Sequence, residues 1–435
     1  MSAANSTPAT IDGSAVAALR KELVDWRFKS LPASAAPRPV AALLRARLDL
    51  FDDEFVGPML VIDNAALRHN LSTMAAWCAE RGMTLAPHGK TTMAPQIFAA
   101  QLALGAWAMT AANISQVRVY RAFGVSRIMM ANELLDPVGL RWIADQLATD
   151  AGFEFSCWVD SVGGVELMDA ALAAREPARP VDVLIEVGGQ DGRAGVREVD
   201  VALAIADAVG KSRWLRLVGV GGYEGAITHG GDGAALSTVE SFVRRLRELA
   251  VELGGRGHFT GLDEVIVTAG GSAYFDTVAD VLGEPWPAEL PVRPVLRSGA
   301  YVTHDDGFYR AISPLRSAGA KAFQAALHIW AQVTSLPQPD LAILTMGKRD
   351  ASFDEGMPEP QRLRKPDGTV TELTEHRVRK LSDQHAFLVL PTDSPVRVGD
   401  WIRLGLSHPC TVFDKWPLIP VVEDGVVVDL IRTFF

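Results

Sequence analysis

Leu85-Ala86-Pro87-His88-Gly89-Lys90-Thr91 is the stretch from which the fold of this 435-residue chain can be read. Residues 83–86 form a short strand-like run, and a helical pattern follows over 95–104. Lys90 is therefore expected at the carboxyl end of a strand, the edge of an α/β fold where binding and catalytic groups collect. An amine held there against apolar walls that disfavour its charge would have a lowered pKa and could attack a carbonyl carbon. The competing reading is a solvated loop lysine, and the rest of the chain has to decide between them.

Working outward, one unit repeats. Strand-like runs occur at 84–87, 106–110, 127–131, 153–159, 181–187, 217–222, 265–268 and 293–296, and most are separated by helical periodicity, as at 114–123, 138–147, 162–174, 198–208 and 236–253. Eight regular β/α units predict a (β/α)8 barrel; an open doubly wound sheet is the competing fold, and the lack of a crossover break favours the barrel. The run at 58–62 lies outside this count, with Asp63 as a cap for the helix that follows. Beyond about 307 the helical rhythm stops. Alternating runs at 328–333, 341–345, 369–373, 385–390, 401–406 and 426–431, with a Pro-Asp-Gly turn at 366–368, predict a β domain completed by residues that precede the barrel. The expected division is an N-terminal extension over 1–56, a barrel over 57–306 and a C-terminal β domain over 307–435. Within the extension, residues 1–15 are expected to be disordered and 16–28 to form a short helix carrying Val16, Leu19, Leu23 and Trp26.

Composition limits the partners. A hydrophobic content of 48% fits an ordinary folded protein, and a net charge of −10 argues against nucleic acid or an anionic membrane surface. Three separated cysteines, Cys78, Cys157 and Cys410, are too few for a disulfide framework and fit a reducing cytoplasm. No signal-peptide pattern opens the chain, and no run approaches the ~20 apolar residues of a membrane span.

Three constellations carry the chemistry. The loops after strands seven and eight read Thr268-Ala269-Gly270-Gly271-Ser272 and Arg297-Ser298-Gly299-Ala300-Tyr301, the place where such barrels commonly hold a phosphate. Their small residues would let backbone N–H groups approach phosphate oxygens, with the serines adding hydroxyl donors; tight turns are the alternative. Strand five ends in Glu186-Val187-Gly188-Gly189-Gln190-Asp191-Gly192-Arg193 and strand six in Gly222-Tyr223-Glu224-Gly225. A barrel puts Arg193 and Tyr223 on the face that carries Lys90, and a lysine, a phosphate cradle and polar groups between them are what pyridoxal phosphate requires. Finally, Ser407-His408-Pro409-Cys410 follows a strand. In an extended segment His408 and Cys410 would point to one side and could share a divalent metal ion, with positions left open for water and substrate.

Together these motifs resemble the metal-dependent D-serine dehydratase and D-threonine aldolase family, from about residue 57 to 435. The resemblance is carried by Pro87-His88-Gly89-Lys90-Thr91, Gly192-Arg193 with Gly195, Gly222-Tyr223 with Gly225, Gly270-Gly271-Ser272, Ser298-Gly299-Ala300-Tyr301, Asp383 to His385, and His408 with Cys410. It implies an alanine-racemase-like barrel followed by a β domain, and pyridoxal 5'-phosphate carried on Lys90. It places His88 among the cofactor-binding residues, Arg193 near the phenolic oxygen and Tyr223 near the pyridine nitrogen. His408 and Cys410 fall to the metal, and Asp383 and His385 to the substrate or the surroundings of the metal. Zinc is the metal expected from the thiolate, with manganese and magnesium as alternatives. Thr92 and Met93 stand where the family usually has His and Lys, and Ser407 where Asn often precedes the metal histidine, which leaves the substrate open. The implied activity is a cytoplasmic, homodimeric lyase acting on D-configured β-hydroxy amino acids. A dehydratase reaction giving a 2-oxo acid and ammonia comes first, because Cys410 stands where the aldolase branch usually carries an aspartate. Aldol cleavage is the alternative; a racemase and a non-catalytic cofactor-binding protein are further rivals.

Overall fold

A computed structural model describes residues 7–190 and 192–435. The disorder expected for residues 1–6, and Asp191 in the loop after the fifth barrel strand, lie outside the described residues. Contacts divide the chain into two compact units, one built from residues up to 12, 74–90 and 98–299, the other from 13–73, 91–97 and 300–435. Each unit is assembled from separated segments, whereas the expected division was into contiguous blocks cut at 57 and 307.

The first unit holds eight strands: β1 (Thr84–Leu85), β2 (Met109–Ala111), β3 (Arg127–Glu133), β4 (Glu154–Val159), β5 (Val181–Val187), β6 (Leu215–Gly222), β7 (Val265–Ala269) and β8 (Val292–Leu296). Neighbours pair in parallel from β2 through β8 and on to β1. Between β1 and β2 the Trp107 N–H donates to the Leu85 carbonyl at 2.8 Å and the Thr110 N–H to the Pro87 carbonyl at 2.9 Å, so the sheet closes into the expected (β/α)8 barrel. Parallel strands covered on both faces read as continuous apolar runs, as β5 does with Val181, Val183, Leu184, Ile185 and Val187 all buried. The intervening helices begin where a side chain can accept the first orphan N–H groups. Asn113 accepts from Gln116, Asp136 from Val138 and Gly139, Ser161 from Gly164, and Asp232 from Ala235.

In the second unit the 12-residue strand Leu327–Gln338 is central. It pairs antiparallel with Trp401–Gly405, Leu341–Leu344 and Met59–Asp63, and Met59–Asp63 also pairs in parallel with Leu418–Glu423. The strand before the barrel thus completes the β domain, as its place outside the count of eight predicted. Asp63 accepts the Ala66 N–H at 2.8 Å, the expected cap. Val24, Phe28, Val40, Leu43, Leu50 and Phe55 join Met59, Trp330 and Leu430 in one apolar core.

Two expectations for the N-terminal segment fail. Residues 7–15 are ordered: the Ala9 N–H donates to the Trp107 carbonyl at 3.1 Å, the Asp12 N–H to the Phe123 carbonyl at 2.8 Å, and a helix runs over Gly13–Ala18. The helix expected over 16–28 ends early, because Leu23–Val24 pairs with Arg38–Pro39 as a short strand. Trp26, expected on the buried face, is 90% exposed, so the spacing that mimicked a helix was accidental. No helix among the described residues is long and apolar enough to cross a membrane.

Candidate active site

At the carboxyl end of β1 the chain turns through a short 3-10 helix, Gly89–Thr91. Only glycine fits at 89, since a Cβ there would come 2.5 Å from the Tyr120 hydroxyl and 2.9 Å from the Phe98 ring. The turn therefore sits tight on those rings, and Lys90 projects at the strand end as predicted. It is exposed, so the apolar walls expected around its amine are not what surrounds it. What the barrel collects instead is positive charge. The His88 pKa lies well below the ordinary histidine value because of burial and then because of the charges on Lys90, Arg297 and Arg193, which places these four side chains in one electrostatic neighbourhood. The His88 Nδ1 is enclosed and has no hydrogen-bond partner. The Arg193 guanidinium lies 5.7 Å from the centre of the Tyr223 ring, bringing together two of the residues chosen from sequence.

Arg297, read only as the start of a loop, is buried, and burial lowers its pKa to about 10 against the opposing pull of Glu224 and Glu186. It donates to the Thr268 hydroxyl at 2.5 Å and the Gly222 carbonyl at 2.6 Å, and its guanidinium lies 4.9 Å from the Trp158 ring centre.

The phosphate loops differ from expectation. Gly270 and Gly271 are not open amide donors: the Glu224 carboxylate, 0% exposed, accepts their N–H groups at 3.0 and 2.5 Å. The Ser298 hydroxyl, expected as a donor to phosphate, instead donates to the Gly270 and Gly271 carbonyls at 3.1 and 3.2 Å and ties the two loops together. Packing within the barrel itself requires glycine here: a Cβ on Gly271 would meet the Tyr223 ring at 2.9 Å and one on Gly299 would collide with the His88 carbonyl. Ser272 is half-buried beside Gly271. Ala300 and Tyr301 are buried and belong to the second unit, where the Tyr301 ring lies 5.9 Å from that of Phe323. A second carboxyl cluster was also missed. Glu186, at the end of β5, lies near Glu133; burial and then that second carboxyl push its pKa up to about 9. A Glu in an apolar strand is the signal that could have found it.

In the second unit, His408 and Cys410 do not lie on an extended segment. His408 has left-handed backbone angles (φ 72°, ψ 87°), and Cys410 lies in the 3-10 turn Pro409–Thr411. The cause is Asp305, a buried carboxylate whose Oδ2 accepts the His408 N–H at 3.0 Å while Oδ1 accepts those of Gly307, Tyr309 and Arg310 at 3.0, 2.9 and 3.2 Å. The turn still brings the imidazole and the thiol near each other. Burial opposes a charge on His408, but the neighbouring Cys410 and the hydrogen-bonded Asp354 carboxylate outweigh that and raise its pKa to about 9. The Cys410 Sγ also lies 3.2 Å from the hydroxyl of Thr91, the residue after Lys90 in the chain. Thr92 and Met93 are buried, and the Met93 carbonyl accepts the Phe434 N–H at 2.9 Å.

Asp383 and His385 lie, like His408 and Cys410, in the second unit. They are exposed in the hairpin turn between Arg377–Leu381 and Ala386–Val389, where the His385 carbonyl accepts the Ser382 N–H and the Asp383 carbonyl that of Arg349.

Comparison with known proteins gives two domain matches. Residues 62–273 match the alanine racemase N-terminal domain and residues 326–422 the putative serine dehydratase domain. The chain thus joins an alanine racemase N-terminal domain to a putative serine dehydratase domain. It is 29% identical over 376 residues to the D-threonine aldolase of Arthrobacter sp, covering 86% of this chain and 90% of the relative. It is 28% identical over 192 residues to the D-threo-3-hydroxyaspartate dehydratase of Delftia sp. (strain HT23), covering 42% of this chain and 46% of the relative. The crystal structure of D-threonine aldolase from Filomicrobium marinum superposes with a TM-score of 0.71 at 25% identity, over 87% of this chain and 95% of that one.

The barrel residues fit an anionic aromatic cofactor. His88, Lys90, Arg193 and Arg297 supply positive charge or an unsatisfied ring nitrogen, and glycines at 271 and 299 keep side chains out of the loops. The second unit offers an imidazole and a thiol in one turn, a donor pair suited to a borderline metal ion. Among the described residues no group of three or more His, Cys, Asp and Glu side chains converges as a complete metal cage.

Proposed function

We propose that this protein is a pyridoxal-phosphate- and metal-dependent lyase that removes the β-hydroxyl and amino groups of D-configured β-hydroxy amino acids, giving a 2-oxo acid and ammonia. The observation that carries the choice of reaction is that the residue sharing the turn with His408 is a thiol, Cys410. By family resemblance the aldolase branch carries a carboxylate at that position, and a thiolate favours zinc over manganese. Residues 57–306 would hold the cofactor and residues 307–435 the metal.

When bound, pyridoxal phosphate withdraws electrons from the substrate's α-carbon. The Lys90 Nζ would hold the cofactor, and as a free amine it would be the base that takes the substrate's α-proton. Arg193 and Tyr223 orient the cofactor ring, and the uncharged His88 offers its enclosed Nδ1 to the bound group. A metal on His408 and Cys410 would supply Lewis acidity towards the departing hydroxyl. A racemase would leave that pair without a task.

Aldol cleavage is the second reading, favoured by one observation: similarity to the Arthrobacter D-threonine aldolase extends over 90% of that relative, and similarity to the Delftia dehydratase over 46%. The products formed from D-threonine separate the two. Ammonia and 2-oxobutyrate in equal amounts are expected, lost on chelation of the metal while the cofactor's colour remains. Glycine and acetaldehyde without ammonia would make the aldolase reading correct.

A further inference from the structure

We infer that Asp354 is the carboxylate that fixes the tautomer and orientation of His408 for metal binding, an inference that rests on the metal-site reading above. Nothing in the sequence connects the two residues, which are 54 positions apart. In the structure the Asp354 Oδ2 lies 2.6 Å from the His408 Nδ1, the distance of a charge-assisted hydrogen bond. A carboxylate can only accept, so this contact keeps the imidazole proton on Nδ1 and leaves the Nε2 lone pair for a metal ion.

Asp354 is itself held. Its Oδ1 accepts the Thr411 hydroxyl at 2.7 Å, so each of its oxygens is held by a hydrogen bond. Its loop is fastened on both sides: the Ser352 hydroxyl donates to the Ser407 carbonyl at 2.7 Å, and the Ser407 hydroxyl to the Glu355 carbonyl at 2.6 Å. Together with the grip of Asp305 on the His408 N–H, these contacts immobilise the histidine from its backbone and from its ring. Ser407 thereby finds a use in this chain: its hydroxyl anchors the loop that presents Asp354.

The predicted effect is on affinity for the metal, separately from turnover. Full-length protein with its cofactor, stripped of metal, would be titrated with Zn²⁺ against a chromophoric chelator and with Co²⁺ followed by absorbance. Asp354→Asn should weaken Zn²⁺ binding by roughly 10- to 100-fold, the usual consequence of losing such a partner, and leave the thiolate-to-Co²⁺ band in place because the ligands are unchanged. Thr411→Val, which frees Asp354 without removing it, should give a smaller loss in the same direction and serves if the asparagine variant misfolds. Equal Zn²⁺ affinity in wild type and both variants would overturn the assignment. So would a change in the Co²⁺ d–d bands of Asp354→Asn with the thiolate band retained, which would make Asp354 a direct ligand. Wild-type protein that binds neither ion, or binds both as well with Cys410→Ala, would defeat the metal-site reading itself.

Discussion

Asp305 holds His408 in a backbone conformation that a non-glycine residue adopts only at a cost, and replacing it by asparagine tests that role. The left-handed region costs a residue with a side chain roughly 1–2 kcal/mol, so the Asp305 hydrogen bond at 3.0 Å must offset it. In Asp305→Asn the single remaining oxygen can serve Gly307, Tyr309 and Arg310, and the amide nitrogen then faces the His408 N–H, donor against donor. Leaving that N–H without an acceptor costs about 1–3 kcal/mol, and with about 2 kcal/mol as the central figure the local opening equilibrium rises roughly 30-fold. Global unfolding is a poor readout for a chain with two compact units, which need not melt together. Hydrogen–deuterium exchange resolved to the peptide 405–412 reads the effect directly, because local opening exposes the amides that exchange. About 30-fold faster exchange there, with β5 of the barrel unchanged, is expected. Exchange within twofold of wild type in that peptide would refute the claim that Asp305 sets the conformation of the turn at His408.

Other tests fall on the barrel. The Glu186 pKa is raised to about 9, chiefly by burial, from an unfolded value near 4.5, so the folded state retains a proton that the unfolded state has lost; stability therefore falls as pH rises through that window. Glu186→Gln should gain in melting temperature over wild type progressively from pH 5 to 9, and a constant difference would show that no such proton is retained. Glu224→Ala leaves two enclosed N–H groups without an acceptor and should cost about 2–6 kcal/mol, read as a melting-temperature drop that Glu224→Gln partly restores. Gly299→Val, whose Cβ would collide with the His88 carbonyl, should displace the turn bearing Lys90 and weaken cofactor retention on dialysis; wild-type retention would show that the loop has room to spare.

Much of the barrel was legible because β5 and its neighbours are apolar on both faces and their helices start at capping side chains. The strands Glu359–Arg364, Arg377–Leu381 and Leu418–Glu423 were not, and the first two show why: five of their eleven residues are arginine or lysine, and the buried positions are too few to reveal a period of two. Strand-end positions gave Lys90, Arg193 and Tyr223, since a strand's direction fixes which loops share a face. The same logic could not foresee that the Gly270 and Gly271 amides would be taken by Glu224, because competition between an internal carboxylate and a phosphate is decided in three dimensions. Asp305 and Asp354 escaped for the reason that most aspartates do: in sequence a carboxylate that grips a distant N–H or imidazole looks like one that faces water.

The central claim is that Lys90 carries pyridoxal phosphate at the end of β1. The direct measurement is borohydride reduction of the purified protein followed by peptide mapping of the reduced cofactor. The account predicts a yellow protein whose visible band disappears on reduction, a single labelled peptide with the label on Lys90, and a colourless Lys90→Ala variant. A label on any other lysine, or a wild-type protein that takes up no cofactor when supplied with it, would contradict it.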